Sequence, residues 1–162
     1  MAGKDLNALF TDTLKDIYYA EKKIYKSLPK MAKAANSEEL RAAFEKHRDE
    51  TEGHIERLEK IFELIDTPAR GKKCEAIEGI LDEGEEVADE YEDTPALDAG
   101  LLAAAQAVEH YEISRYGTLK TWAEKLGLEE AVNLLDQTLV EEKKTDEALT
   151  RIAVSAVNAE AA

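Results

Sequence analysis

Apolar residues recur along this chain in steps of three and four, and Phe10, Leu14, Ile17, Ile24, Leu28 and Met31 are the plainest run. With Glu21 filling its one gap, the stripe predicts a helix from about residue 5 to 35, with a seam that packs on other helices. Asp5 is placed to cap its start. Pro29 is expected to kink the last turn, because it lacks an amide donor and crowds the carbonyl of Tyr25. A second stripe of Leu40, Phe44, His47, Thr51, His54, Leu58, Ile61 and Ile65 predicts a helix over 37–66. Asn36 or Ser37 opens it, Asn36 and Glu39 resembling a capping box, and Thr67-Pro68 with Gly71 closes it. A third helix is expected over 95–126, carrying Leu102, Ala105, Glu109, Glu112, Tyr116, Leu119 and Ala123, with Thr94 as cap, Pro95 in the first turn and Gly127 at the end. The fourth, over 128–154, carries Leu135, Leu139, Glu142, Asp146, Leu149 and Ala153, and the residues after Ile152 are expected to fray.

The connection from 66 to 94 is too long for a hairpin between neighbouring antiparallel helices. Ile77, Ile80, Leu81, Val87 and Ala88 lie within it among many carboxylates, which predicts an extra acidic helix over 75–92 outside the bundle. A long crossover between the second and third bundle helices points to an all-α, ferritin-like antiparallel four-helix bundle, a single domain over 1–162. The halves also echo one another at an offset of 91, Glu21 falling on Glu112, Phe44 on Leu135, Glu50 on Glu141 and Leu58 on Leu149.

Composition narrows the function classes. The 162 residues are 44% hydrophobic and 35% charged, with a net charge of −15 that repels nucleic acid. No apolar run is long enough to span a membrane, the N-terminus lacks the apolar core of a signal peptide, and one cysteine, Cys74, excludes an intrachain disulfide. A reducing, cytoplasmic setting is the expectation.

The informative residues are acids on apolar seams. Glu21, Glu109, Glu112, Glu142 and Asp146 replace expected apolar residues, and Glu50 flanks the seam holding His47, Thr51 and His54. Each group lies about 13 to 18 residues into its predicted helix, so in a bundle of equal antiparallel helices all four deliver acid to one height. Buried together, carboxylates raise one another's pKa and lose solvation unless a cation neutralises them. A pair of metal ions does so, since hard cations take oxygen ligands and carboxylates bridge. The candidate ligands are Glu21, Glu50, His54, Glu112, Glu142 and Asp146, with Glu109 a ligand or a partner one step removed. His47 and His110 read as ordinary polar residues or as partners one step removed from the ligands. The spacing departs from the Glu-x-x-His motif of di-metal bundles: Thr51-x-x-His54 lacks the acid and Glu142-x-x-Thr145 lacks the histidine. Tyr18, Tyr19, Tyr25, Tyr111 and Tyr116 pack near the layer and can donate hydrogen bonds to it.

The segments Tyr18-Tyr-Ala-Glu-Lys, Glu50-Thr-Glu-Gly-His54, Ala107-Val-Glu-His-Tyr-Glu-Ile113, Tyr116-Gly-Thr-Leu and Leu139-Val-Glu-Glu resemble the YciE/YciF stress-protein family over residues 4 to 153. The resemblance implies a ferritin-like bacterial stress protein related to rubrerythrins, a homodimer, and iron or manganese, two ions per chain, engaged in redox chemistry with oxygen or peroxide. It names no substrate. The alternative is a ferritin-derived structural or interaction protein whose polar layer is a hydrogen-bonded network with some acids protonated.

Overall fold

The computed structural model describes residues 3–162, and the elements among them are helical. Five long helices run in order: α1 (Leu6–Ala34), α2 (Glu38–Leu64), α3 (Glu75–Glu90), α4 (Leu97–Lys125) and α5 (Glu129–Ile152). A π-turn (Ala153–Val157) and a last helical turn, α6 (Asn158–Ala161), continue from α5. Ala153 and Val157 are buried, so the segment expected to fray stays helical because its apolar side chains pack.

Local chemistry sets the ends. Asp5 accepts from the Ala8 amide at 2.9 Å and Ser37 from the Leu40 amide at 3.2 Å, the capping roles expected of them. At the end of α4, Gly127 takes φ 72° while the Leu128 amide reaches back to the Ala123 carbonyl at 2.9 Å. That closure needs a left-handed residue, which glycine supplies without a Cβ clash. The start of α4 differs from expectation. Thr94 turns its hydroxyl onto the Tyr91 carbonyl at 2.8 Å, and the helix begins at Leu97. Pro29 lies inside α1, which continues through it to Ala34.

Leaving α3 aside, each of the other four long helices packs on two of that set, α1 on α2 and α4, and α5 on α2 and α4. Short connections make α1 antiparallel to α2 and α4 antiparallel to α5. Asp98, at the start of α4, accepts from the Asn36 and Ser37 amides, both at 2.8 Å, so α4 begins at the same end as α2. The stripes read from the sequence meet inside: Phe10, Leu14, Ile17, Phe44, Leu58, Leu119 and Leu135 are at most 1% exposed.

The crossover climbs the outside. Its α3 packs on α4 and α1, with Ile77 buried and Tyr19 donating to Glu78. A Cβ on Gly100 would lie 2.4 Å from Val87 Cγ1, so the missing side chain lets α3 approach α4. Cys74 caps α3 through the Ile77 amide at 3.4 Å. Its Sγ also lies 3.0 Å from the Tyr111 hydroxyl, which donates to Asp16 at 2.8 Å, tying the crossover to α4 and α1.

Asp98 is the most exacting of these ties, because two amides at the α1–α2 turn depend on one carboxylate. Asp98→Ala is expected to lower stability by about 2 kcal/mol in urea unfolding, as for loss of a charged hydrogen-bond acceptor, with Asp98→Asn recovering part of it. Wild-type stability in the alanine variant would contradict the role.

Candidate metal centre

Midway along the bundle the apolar seams are broken by six ionisable side chains. Glu21 comes from α1, His47 and His54 from α2, Glu109 and Glu112 from α4, and Glu142 from α5. His47 is 3% exposed and the other five 0%. The helical period explains their meeting. Glu109 and Glu112 are three residues apart on one face of α4, and His47 and His54 are two turns apart on one face of α2.

The six form two groups with shared members. Glu21, His54, Glu112 and Glu142 make one, and His47, Glu109, Glu112 and Glu142 the other; in each, one donor atom per residue lies within 4.8 Å of the rest. Glu112 and Glu142 belong to both. His54 Nδ1 lies 2.8 Å from Glu142 Oε1 and 3.5 Å from Glu21 Oε1. His47 Nδ1 lies 3.0 Å from Glu109 Oε1, and its Nε2 is 3.9 Å from Glu112 and 3.8 Å from Glu142.

Short as these approaches are, they do not supply hydrogen bonds. Among the described residues, nine buried side-chain atoms lack a hydrogen-bond partner, and all nine belong to these six residues: Glu21 Oε2, His47 Nε2, His54 Nδ1 and both oxygens of Glu109, Glu112 and Glu142. Buried polar atoms are normally paired, and each orphan costs about 1–3 kcal/mol. Donors around a small hard cation with bonds of about 2.1 Å lie about 3 Å apart with lone pairs directed at the ion rather than at each other. The chemistry of the set suits such ions: four carboxylates, two imidazoles and no thiolate.

A surrounding layer orients part of the set. Tyr116, fully buried, donates to Glu21 Oε1 at 2.7 Å. Glu141 Oε2 lies 2.8 Å from His54 Nε2, while Arg57 grips both Glu141 oxygens at 2.9 and 2.8 Å and reaches Thr138 at 3.1 Å. A carboxylate behind a histidine fixes its tautomer and leaves the other nitrogen free for a metal.

The charges are strongly perturbed in the metal-free state. Desolvation, then the neighbouring Glu142 and Glu21 charges, holds Glu112 well above the usual carboxylate range. Burial pushes Glu109 up to about 8, with the Glu21 charge adding to it. Burial and the Glu109 charge push Glu142 up to about 8. Desolvation opposes the charged form of His54, but Glu21, Glu141 and Glu142 outweigh it and raise the imidazole to about 12. Glu21 is lowered, desolvation being overcome by His54. The His54 hydrogen bond, against partial burial and with help from Arg57, draws Glu141 down to about 2.

Of the candidates named from sequence, Glu21, His54, Glu112 and Glu142 converge, and Glu109 converges with them. Glu50 and Asp146 do not reach either group. Glu50 is 25% exposed, accepts from Thr145 Oγ1 at 3.1 Å and faces Lys46 at 3.7 Å. Asp146 is 22% exposed and is engaged by His110 Nε2 at 3.1 Å. Glu50 is one residue, about 100°, off the inward Thr51, and Asp146, one turn along from Glu142, is rotated about 40° from it to the α4 side, where His110 meets it. His47, set aside as an ordinary polar residue, lies inside. Its place on the seam, seven residues before His54, was the available signal.

These features define an all-helical protein with a buried carboxylate–histidine cluster able to hold metal ions. The chain belongs to the family described as a domain of unknown function, DUF892, whose profile matches residues 5–162. It is 45% identical over 162 residues to Protein YciF of Escherichia coli (strain K12), covering 99% of this chain and 98% of that protein. The crystal structure of the E. coli stress protein YciF matches with a TM-score of 0.91 at 44% identity, over 96% of this chain and 99% of that one. YcfI from Rhodopseudomonas palustris matches at 0.88 and 44% identity, over 90% and 93% of the two chains. A protein from Xanthomonas campestris, 23% identical, shares the fold at 0.77 over 96% of each chain. The family resemblance drawn from the sequence motifs is thereby borne out. Among the described residues no helix is long and apolar enough to cross a membrane.

The titrations set a pH profile for the metal-free protein. Glu109 and Glu142 bind protons more tightly folded (about 8) than unfolded (4.5), so their effect on stability is increasingly unfavourable as pH rises from 4.5 through 8. The His54 contribution is fully present below 6.5 and is lost as pH rises towards 12. Glu141 acts oppositely, stabilising above 4.5 and losing this as pH falls towards 2. Chelator-treated protein should melt highest near about pH 5 and progressively lower towards pH 8, and Glu142→Gln should flatten the fall. A melting temperature that rises over that interval would contradict the buried-acid assignment.

Proposed function

We propose that the six converging side chains form a di-metal carboxylate centre for iron or manganese in a ferritin-like bundle, and that the protein handles such metal during stress. The observation that carries the reading is that, among the described residues, the unpartnered buried side-chain atoms are confined to this cluster. Glu21 and His54 would hold one ion and His47 and Glu109 the other, with Glu112 and Glu142 between them. Bound there, iron or manganese would supply one-electron redox chemistry with oxygen or peroxide. The chain's own part is to keep the donors oriented through Tyr116 and the Glu141–Arg57 pair and to exclude water from the layer. The ferritin-like assignment is supported by the α2-to-α4 crossover and by acids and histidines projecting inward from all four bundle helices. The stress role rests on the likeness to the E. coli stress protein YciF. A homodimer is proposed on the family likeness, with a cytoplasmic setting on the single cysteine.

A second reading keeps the cluster metal-free, as a network that fixes helix register. The raised carboxyl pKa values favour it, since acids that stay protonated near neutral pH can share protons. Glu50 and Asp146 are not needed in either.

Elemental analysis after anaerobic ferrous or manganous loading separates the two. The di-metal reading predicts about two ions per chain, with Glu112→Ala or His47→Ala losing metal and Glu50→Ala or Asp146→Ala keeping it. Saturating metal should raise the melting temperature by about 5–10 °C, from about 2.7 kcal/mol at a hundredfold excess over Kd. No retained metal and no thermal shift would leave the register network as the better account.

A further inference from the structure

The two halves of the centre differ in what lies behind them. Behind His54 stand Glu141 and Arg57, both hydrogen-bonded. Beside His47 the wall is apolar. Between α1, α3 and α4 lies a cavity of about 60 Å³ walled chiefly by Met31, Ala34, Ile80, Leu81, Ala104 and Val108. Lys30 of α1 and Glu85 of α3, both exposed, approach to 3.8 Å at its edge. Deeper in, a space of about 10 Å³ shares Ser27, Met31, Leu81 and Val108 with the first and adds His47. The two spaces lie on either side of these shared walls, and the inner one ends at His47, whose Nε2 has no hydrogen-bond partner.

The dimensions and chemistry select what can pass. The inner space is about one water-sized sphere, so guests move singly. An ion would shed its hydration with almost nothing to replace it, and a hydrogen-bonding guest finds only the Ser27 hydroxyl among the shared walls. Dry apolar cavities of this kind take up uncharged, weakly polar guests such as xenon. Dioxygen meets these conditions, whereas hydrogen peroxide would leave its hydrogen bonds behind.

We propose that the cavity between α1, α3 and α4 is the route by which dioxygen reaches the His47 side of the centre, with the crossover helix α3 as its roof. The inference rests on the di-metal reading and adds a route and a choice of oxidant to it. It gives α3 a task beyond connection: removing it would open the apolar cavity to water.

The test needs a readout independent of metal chemistry and one at the metal. Val108→Phe fills the shared wall, and Ser27→Leu fills it from a half-buried position should the first variant fail to fold. In the metal-free wild type under xenon pressure, xenon is expected between Met31, Leu81 and Val108, and it should be lost from both variants. After ferrous loading, the variants should bind iron as the wild type does. Their oxidation by dioxygen should slow about tenfold, as expected when a close-packed wall replaces a passage, while oxidation by peroxide stays near the wild-type rate. Absence of xenon from the wild-type cavity, or wild-type dioxygen kinetics in a variant that excludes xenon, would overturn the route. Equal slowing with both oxidants would mean a damaged centre and also overturn it. A chain that takes xenon but never binds iron would instead sink the di-metal reading, and the route's destination with it.

Discussion

Six ionisable side chains from four helices share one interior volume, and the rest of the molecule is arranged around the cost of keeping them there. Each charge would lose several kcal/mol on leaving water, and the carboxylates repel one another across distances of a few ångströms. Part of that cost is met internally: His54 is held between Glu21, Glu142 and Glu141, and Tyr116 donates to Glu21. The remainder is not, since both oxygens of Glu109, Glu112 and Glu142 stay unpartnered. These uncompensated acids are what the proposed cations would neutralise. Apolar layers above and below, from Phe10 and Leu14 to Leu119 and Leu135, carry the fold's stability and leave the middle free for chemistry.

The weak internal repeat gives the departure from the usual ligand pattern a physical shape. At the offset of 91, Thr51 corresponds to Glu142 and His54 to Thr145, so each half keeps one member of a Glu-x-x-His pair and lacks the other. The contacts preserve the correspondence. His54 meets Glu141 at 2.8 Å, and its counterpart Thr145 donates to Glu50, the counterpart of Glu141, at 3.1 Å. Glu50 is thus placed as Glu141 is, behind the inward residue and not beside it. In the proposed centre His47 and Glu109 make up the donors that Thr51 and Thr145 do not provide. His47 lines the small apolar space next to the α1–α3–α4 cavity, so the cluster has an apolar side at His47 and a hydrogen-bonded one at His54.

Much of this was legible in the residues alone. The stripes of apolar positions, the caps at Asp5 and Ser37 and the stop at Gly127 located the helices, because they depend on neighbours three or four residues away. The convergence of Glu21, His54, Glu112 and Glu142 followed from their equal depth in antiparallel helices. What failed needed rotational precision. Glu50 is one residue and about 100° from inward Thr51, and Asp146 is about 40° round from Glu142, enough to bring it to the rim beside His110. His47 read as an ordinary polar residue; Phe44, three residues before it, occupies the place of the acid in a Glu-x-x-His motif. The cavity beneath α3 was beyond reach as well, since it depends on how closely Gly100 and Val87 let two helices approach.

Anomalous diffraction from crystals of the protein loaded anaerobically with ferrous iron addresses the central claim most directly. Two peaks inside the bundle, one beside Glu21 and His54 and the other beside His47 and Glu109, with Glu112 and Glu142 reaching both, is the predicted result. An interior without anomalous density, or iron confined to the rim at Glu50 and Asp146, would contradict it.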